Sequence, residues 1–308
     1  MPEFTGYNPR AEERAKLIQQ CLDFDIMSLS AAPNLPPTRG IKDLMRRDDQ
    51  GRMSSCTGFG MTNAAEVTGY LQTGIWKQYN PLWSYRRGQE VSNIRGDNGA
   101  TIHGVVEAAK KKGLLPEDTN DDGKPEYPYV VQYSFQFPQE CYTTAAKFKI
   151  GYSLNLNGFD AILRFLQSNQ GAVVVGGAWG NWHPNSAGIC DRFIGGGGGH
   201  CRAYIDWITI NNKVYLVEIN SHYKQYGVNG YAYHSKTFVD GQAKDKNTAT
   251  IGVSDLSGPA PRVIDWAKEL AFVPTLSVPS SGSPKLYNPD EDPTIPTSPD
   301  HSSSEDIA

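Results

Sequence analysis

Cysteine is scarce in this sequence: there are five in 308 residues, and no two form a Cys-x-x-Cys pair. The absence of that spacing excludes the common zinc-ribbon and thioredoxin motifs. So few cysteines in a chain of this length also argue against a disulfide framework. Most buried cysteines act only as small apolar packing residues, so the question is whether one of the five is chemically active.

Long apolar runs and strong net charge are missing as well. No stretch approaches the length of a transmembrane helix, and the first twenty residues lack the basic start and apolar segment of a secretory signal. The net charge of −4 gives no basic field for nucleic acid or for an anionic membrane surface. We therefore expect a cytoplasmic or virion-associated chain with neither a membrane nor a nucleic acid as partner.

The composition divides the chain into three parts. Residues 1–34 are expected to form an N-terminal helical extension, with an amphipathic helix near Pro9–Asp23. Residues 35–276 have the composition of one globular domain. Residues 277–308 are rich in proline, serine and acidic residues, and they contain too few apolar side chains to offset the entropy of ordering. We expect a disordered tail there, which could tether the chain to a larger assembly.

Within the central domain, helical patterns come first and strand patterns follow. Helices are predicted from Cys56 towards Leu71 (with Gly74 as the stop), over Thr101–Lys112 and over Phe159–Gln167. Strands are predicted over Ala172–Val175, Arg202–Ile210, Lys213–Ile219, Gly230–His234 and Leu270–Val273, with a hairpin turn at Asn211–Asn212. This order favours an α+β fold, with a helical lobe at about residues 50–150 and a β-rich lobe at about residues 151–276.

Cys56 differs from the other cysteines because it follows a turn rich in glycine and serine and opens a predicted helix. A thiol at a helix N-terminus is favoured as the thiolate. A thiolate attacks carbonyl carbon well, but the leaving amine needs a proton donor, which is usually histidine. Taken alone, Cys56 is better interpreted as a packing residue.

Three further residues change that interpretation because they carry groups that a catalytic thiol uses. Gln50 lies six positions before Cys56, His200 opens a predicted strand 144 positions after it, and Asn220 closes the next strand. In papain, the nucleophile is followed by the histidine and the asparagine about 130–150 residues downstream. The ordered set resembles that of the papain-like cysteine peptidases.

The resemblance extends along residues 35–240. Leu-Pro-Pro-Thr at residues 35–38 looks like the mature start of bacterial members of the family. Gly-Asp-Asn-Gly-Ala-Thr at residues 96–101 is similar to the family's segment beyond the substrate cleft. Ser-Asn-Gln-Gly-Ala-Val at residues 168–173 resembles the family's approach to the strand that leads back to the cleft. The resemblance implies a two-lobed fold, with a helical N-terminal lobe, an antiparallel β-rich C-terminal lobe and the active-site cleft between them.

The roles that the resemblance implies centre on four catalytic residues. Cys56 would attack the scissile carbonyl, and His200 would hold the thiolate and then protonate the leaving amine. Asn220 would orient the imidazole, as the third member of such triads does. The side-chain amide of Gln50 and the backbone N–H of Cys56 would stabilise the oxyanion.

The implied substrate contacts come from glycines and one further cysteine. Gly99 would pair with the backbone of a peptide or protein substrate. Gly198, Gly199 and Cys201 would line the pocket for the second residue before the cut. The resemblance implies neither a metal nor an organic cofactor.

The sequence departs from the family pattern at several positions. Thr57 replaces the usual aromatic after the nucleophile, Met53 replaces a structural cysteine, and His222 replaces the tryptophan that shields the Asn–His bond. An inactive papain-fold protein with a binding or structural role therefore stays open, as does an acyltransferase in which an amine resolves the thioester. The N-terminal segment is expected to pack on the surface or across the cleft.

Two other features of the sequence are interpreted as ordinary structure without a functional role. The loop around Trp179–Pro184, which includes His183, is expected to pack its aromatic rings. Asp118–Gly123 matches the first half of a calcium loop, but Tyr129 stands at position twelve instead of glutamate, so an acidic turn is the better interpretation.

Overall fold

The computed structural model describes residues 38–254 together with Tyr7, and for Tyr223 only the backbone. The predicted helix at Pro9–Asp23, the predicted strand at Leu270–Val273 and the tail at residues 277–308 lie outside the described residues.

The described part of the chain contains six α-helices. They are α1 (Cys56–Thr73), α2 (Pro81–Ser92), α3 (Ile102–Lys111), α4 (Gln139–Ala145), α5 (Gly158–Gln167) and α6 (Lys236–Ala243). The three predicted helices are confirmed as α1, α3 and α5. Gly74 ends α1 in the left-handed region, with φ 71°, and its N–H donates to the carbonyl of Tyr70.

Within residues 38–254, seven strands form one sheet in the order β1-β7-β2-β4-β5-β6-β3. They are β1 (Tyr152–Asn155), β2 (Gly171–Trp179), β3 (Ile189–Cys190), β4 (Gly198–Ile210), β5 (Lys213–Ile219), β6 (Tyr231–His234) and β7 (Ala249–Ser254). Neighbouring strands are antiparallel except for the short β3–β6 pair, so the sheet is mixed. Asn211 and Asn212 both have positive φ in the predicted hairpin between β4 and β5.

The sheet has a hydrophobic core on each face, because alternate residues of its central strands point in opposite directions. Val174 and Ala203 belong to the core that also contains the side chains of α1, α2 and α3. Val173 and Tyr204 belong to a second core, shared with α5 and α6. This is the α+β arrangement expected from the sequence.

A close approach between α1 and β4 positions the N-terminus of α1. A Cβ at Gly60 would lie 2.5 Å from the sulfur of Cys201 and 3.0 Å from the carbonyl oxygen of Arg202, so only glycine fits there. Cys56 lies one turn earlier and therefore on the same face of α1. The contact brings the start of the helix to the start of β4.

Within the part of the chain that the structure describes, each helix is too short or too polar to cross a lipid bilayer.

Candidate active site

Cys56 is the first residue of α1, and its side chain is completely buried. Its sulfur accepts a hydrogen bond from the backbone N–H of Cys201, with an N···S distance of 3.3 Å. Cys201 directly follows His200 at the start of β4. The candidate nucleophile and the candidate base, which are far apart in sequence, are therefore carried by elements that touch.

His200 and Asn220 form a buried hydrogen bond. Nε2 of His200 lies 3.0 Å from Oδ1 of Asn220, and both residues are at most 1% exposed. An amide oxygen can only accept, so Nε2 carries the hydrogen and Nδ1 holds the lone pair. Nδ1 is the nitrogen that is able to take a proton from a thiol.

Two aromatic side chains cover the imidazole of His200. The ring of Trp179, at the end of β2, lies 4.5 Å from it between centroids, and His222 stacks on it at 4.8 Å with an interplanar angle of 13°. His222 thus covers the ring at the position where the family pattern has a tryptophan. Trp179 was expected only to pack against other aromatic rings. Its contact with His200 could not be predicted because the sheet register, not the sequence spacing, brings the two residues together.

Gln50 is fixed next to the start of α1. Its Oε1 accepts from the hydroxyl of Ser221 at 2.6 Å, and its Nε2 donates to the carbonyl of Met53 at 2.8 Å. The backbone N–H of Gln50 also donates to the carbonyl of Ser221, at 3.0 Å. An amide nitrogen has two hydrogens, and the carbonyl of Met53 accepts one of them.

Burial favours the neutral forms of both the thiol and the imidazole. It raises the pKa of Cys56 to about 12, although the N–H of Cys201 and the charge of Arg202 oppose that shift. Burial, with His222 and Arg202, holds the pKa of His200 well below its usual range. Because water is excluded from both groups, the ion pair is disfavoured in this structure.

We expect alkylation of Cys56 by iodoacetamide to be slow at pH 7 in the folded chain. A thiol pKa raised to about 12 means that the thiolate fraction, and hence the rate, increases about tenfold per pH unit over the accessible range. Mass spectrometry of the Cys56 peptide gives the rate, and the urea-unfolded chain serves as the reference. A rate that levels off below pH 7 in the folded chain would contradict the neutral pair.

Tyr7 of the N-terminal segment lies against the same end of β4. Its backbone N–H approaches the carbonyl of Gly199 at 3.5 Å, and it forms a parallel bridge with Ala100. Its hydroxyl donates to the carbonyl of Asn247 at 2.9 Å, and its ring lies beside Gly176. Only 3% of Tyr7 is exposed. One residue of the N-terminal segment is thus buried against Gly199, the residue before His200.

Of the residues expected to bind substrate, Gly199 contacts Tyr7, whereas Gly99 hydrogen-bonds to other residues. Gly199 contacts Tyr7 directly, and a Cβ there would clash with the Tyr7 carbonyl oxygen. The backbone N–H of Gly99 donates to the hydroxyl of Tyr85 at 3.1 Å, and its carbonyl accepts from Gln89 at 2.8 Å, so both backbone groups of Gly99 are engaged inside the protein. The bridge to Tyr7 involves the next residue, Ala100.

Gly198 and Cys201 flank the pocket along β4. Gly198 pairs with Trp179 across the strands. The sulfur of Cys201 is directed to the position of Gly60 on α1, so Cys201 contributes its backbone N–H to the site and its side chain to the core.

The acidic loop behaves as the turn expected from its sequence. Ligand oxygens of Asp118, Asp122 and Glu126 lie within 4.8 Å of one another. Each of these carboxylates accepts a backbone N–H, from Gly123, Lys124 and Thr119 respectively. These hydrogen bonds within the turn account for the closeness of the three carboxylates.

Solved structures provide the comparison. Xylellain, a cysteine protease from Xylella fastidiosa, matches with a TM-score of 0.60 and 18% identity, covering 82% of this chain and 97% of that one. The chain has a papain-like fold. The ragweed pollen cysteine protease Amb a 11 in its proform (TM-score 0.60, 15% identity) covers 82% of this chain and 75% of its own.

Bromelain from Ananas comosus, solved in complex with the E64 inhibitor, also matches the papain-like fold. The TM-score is 0.55 and the identity 14%, covering 71% of this chain and 99% of bromelain. No family model and no curated protein sequence matches the chain. At these identities the likeness establishes the fold alone.

Proposed function

We propose that the chain is a cysteine peptidase that cleaves peptide bonds through a thioester at Cys56. The observation that carries the proposal is the meeting of α1 and β4, in which the sulfur of Cys56 accepts the N–H of the residue after His200. The bond from His200 to Asn220 adds the third group of the set. The structural neighbours, which are cysteine proteases, favour this chemistry over others that the fold could support.

The proposed reaction has two halves. Nδ1 of His200 accepts the thiol proton while the sulfur of Cys56 attacks the carbonyl carbon, and the imidazolium then gives that proton to the leaving amine. Water adds to the thioester with His200 as general base, which releases the acid and restores the thiol. Asn220 keeps the ring in place throughout.

Peptides and proteins are the proposed substrates. The parallel bridge between Tyr7 and Ala100 supports this, because the backbone beside Ala100 already pairs with that of another residue. Recognition through main-chain hydrogen bonds, with a pocket for one side chain, is a general way of binding peptides.

The direct test is digestion of a peptide library by the wild-type chain together with labelling by a thiol-directed epoxide. We expect cleavage products and a label on Cys56 alone. Label spread evenly over the other cysteines, with no cleavage, would overturn the proposal. Transfer products that appear when amines are added would indicate an acyltransferase instead.

A second candidate function is a papain-fold binding protein with little or no catalysis. The observation that favours it is the complete burial of a neutral thiol. If Cys56 stays unreactive when the Tyr7 pocket is emptied, this second function becomes the better one.

We expect Gln50→Ala to lower kcat by about 100-fold with a much smaller change in KM, because one oxyanion donor is lost. Steady-state kinetics on a cleaved peptide measure both constants. Gln132→Ala, at an exposed position, is the matched control. An unchanged kcat in Gln50→Ala would remove Gln50 from the reaction.

A further inference from the structure

A set of buried polar groups lies directly behind Asn220. Nδ2 of Asn220 donates to Oε1 of Glu218 at 3.1 Å. The other carboxylate oxygen of Glu218 lies 2.9 Å from Nε2 of His234 and 3.5 Å from Nε of Arg202. The side chains of Glu218, His234 and Arg202 are completely inaccessible to solvent.

Strand geometry explains why Glu218 reaches Asn220. Glu218 is the second-last residue of β5, and Asn220 is the first residue after that strand. Residues two apart in an extended chain point to the same side, so the two side chains are neighbours. Arg202 comes from β4 and His234 from β6, the strands on either side of β5.

The charges of this set are balanced with Glu218 ionised. Burial raises the pKa of Glu218, but Arg202 and His234 outweigh it and hold that pKa below its usual range. Burial lowers the pKa of His234, against the opposing charge of Glu218. Nδ1 of His234 lies 2.8 Å from the hydroxyl of Tyr204, and Nε2 faces the carboxylate. Tyr226 also faces Glu218, and burial raises the pKa of its hydroxyl well above the usual range.

Stability alone does not account for an ion pair at this position. A buried pair of this kind is often no more stable than apolar residues of the same volume, because both charges lose their water. The contacts of Glu218 and Arg202 therefore have to account for why these two charged residues are buried. The contact that leads to the candidate active site is the one from Glu218 to Asn220.

We propose that Glu218 is a positioning residue that fixes the side-chain amide of Asn220 and, through it, the tautomer of His200. An ionised carboxylate only accepts hydrogen bonds, so the NH₂ end of Asn220 must face Glu218. The carbonyl end then faces His200, whose Nε2 must carry the hydrogen. Nδ1 is left as the base for Cys56.

Without the carboxylate, the Asn220 amide has two orientations of similar energy. Glutamine at position 218 both donates and accepts, so it pairs with either end of Asn220. In the reversed orientation NH₂ faces His200, the hydrogen of the ring moves to Nδ1, and the ring is no longer a base towards the sulfur. In a serine protease triad, the wrong histidine tautomer alone lowers kcat by about 10⁴.

The test combines ¹⁵N NMR of the His200 ring with kinetics on the full chain. In the wild type we expect the Nε2–H tautomer. In Glu218→Gln we expect a mixture of tautomers and a loss in kcat of about 10- to 100-fold with little change in KM, since a hydrogen bond to a charged group is removed. Glu66→Gln, at another buried carboxylate that accepts the N–H of Tyr79, is the matched control and should leave the ring unchanged.

Glu218→Gln leaves Arg202 buried without its counter-charge and can fail to fold for that reason. The double variant Glu218→Gln with Arg202→Met removes both charges and separates folding from positioning. A folded double variant with mixed tautomers and low kcat supports the proposal. A folded double variant with the wild-type tautomer overturns it.

The kinetic part rests on the proposed peptidase function, but the NMR part does not. A changed tautomer in a chain that cleaves no peptide would retain the role of Glu218 and reject the peptidase. Cleavage by the wild type with an unchanged tautomer in both variants would support the peptidase and reject the role of Glu218.

Discussion

Cys56→Ala is expected to lower peptide hydrolysis by about 10⁴-fold or more. The sulfur forms the covalent bond in the proposed mechanism, and no other side chain takes its place. The measurement is kcat/KM on a peptide that the wild-type chain cleaves. Because the substitution removes one buried atom beside the N–H of Cys201, a thermal melt should be recorded with it.

Two other buried cysteines provide the control for that experiment. Cys141 and Cys190 are also free thiols, and burial raises the pKa of each. Replacing either by alanine should leave kcat/KM within about twofold, since neither belongs to the candidate site. Equal losses in all three variants would indicate a general effect on folding and contradict the role of Cys56.

Tyr7→Ala is expected to raise kcat/KM by about 10- to 100-fold. Tyr7 is buried against Gly199, which is proposed to bind substrate, so a substrate has to displace it. The aromatic side chain supplies much of the energy that holds Tyr7 there. The measurement is peptide hydrolysis by the full chain with and without the substitution. The alkylation rate of Cys56 should rise in parallel, because an emptied cleft admits water and lowers the pKa of the thiol.

Tyr7→Phe and Tyr152→Ala serve as controls for the pocket. Tyr7→Phe keeps the ring but loses the hydrogen bond to the carbonyl of Asn247, so its effect should be smaller, at about fivefold. Tyr152 is exposed on β1, and its removal should change nothing. Activity that is the same in Tyr7→Ala and the wild type would show that the N-terminal segment does not restrict the site.

Much of the fold follows from local sequence signals. Lys213–Ile219 is a strand over the predicted range, and the Asn211–Asn212 turn has the positive φ values that asparagine tolerates well. The helix from Cys56 ends at Gly74 for a similarly local reason. These elements are specified by residues that are close together in the chain.

Elements specified by tertiary contacts were not predicted. The strand at Ala249–Ser254 is buried between β1 and β2, where the partners on both sides, and not a pattern of alternation, make it a strand. The helix at Pro81–Ser92 was missed because Gly88 and two arginines weaken its apolar pattern. Gly88 is there because a Cβ would overlap Val105 of α3.

The candidate site also has a part that the sequence predicts and a part that only the tertiary structure shows. The order of Cys56, His200 and Asn220 is visible in the sequence, and the structure brings these residues together. The contacts of Trp179 and Glu218 depend on which strands are neighbours in the sheet. Sequence spacing carries no information about that register.

The central claim is that the sulfur of Cys56 becomes acylated during turnover. Rapid quenching of the Tyr7→Ala chain with a peptide ester, followed by mass spectrometry of its fragments, measures this directly. We predict the mass of the acyl group on the fragment that contains Cys56, decaying as the acid product forms. Product formation with no acyl group on Cys56 would contradict the mechanism.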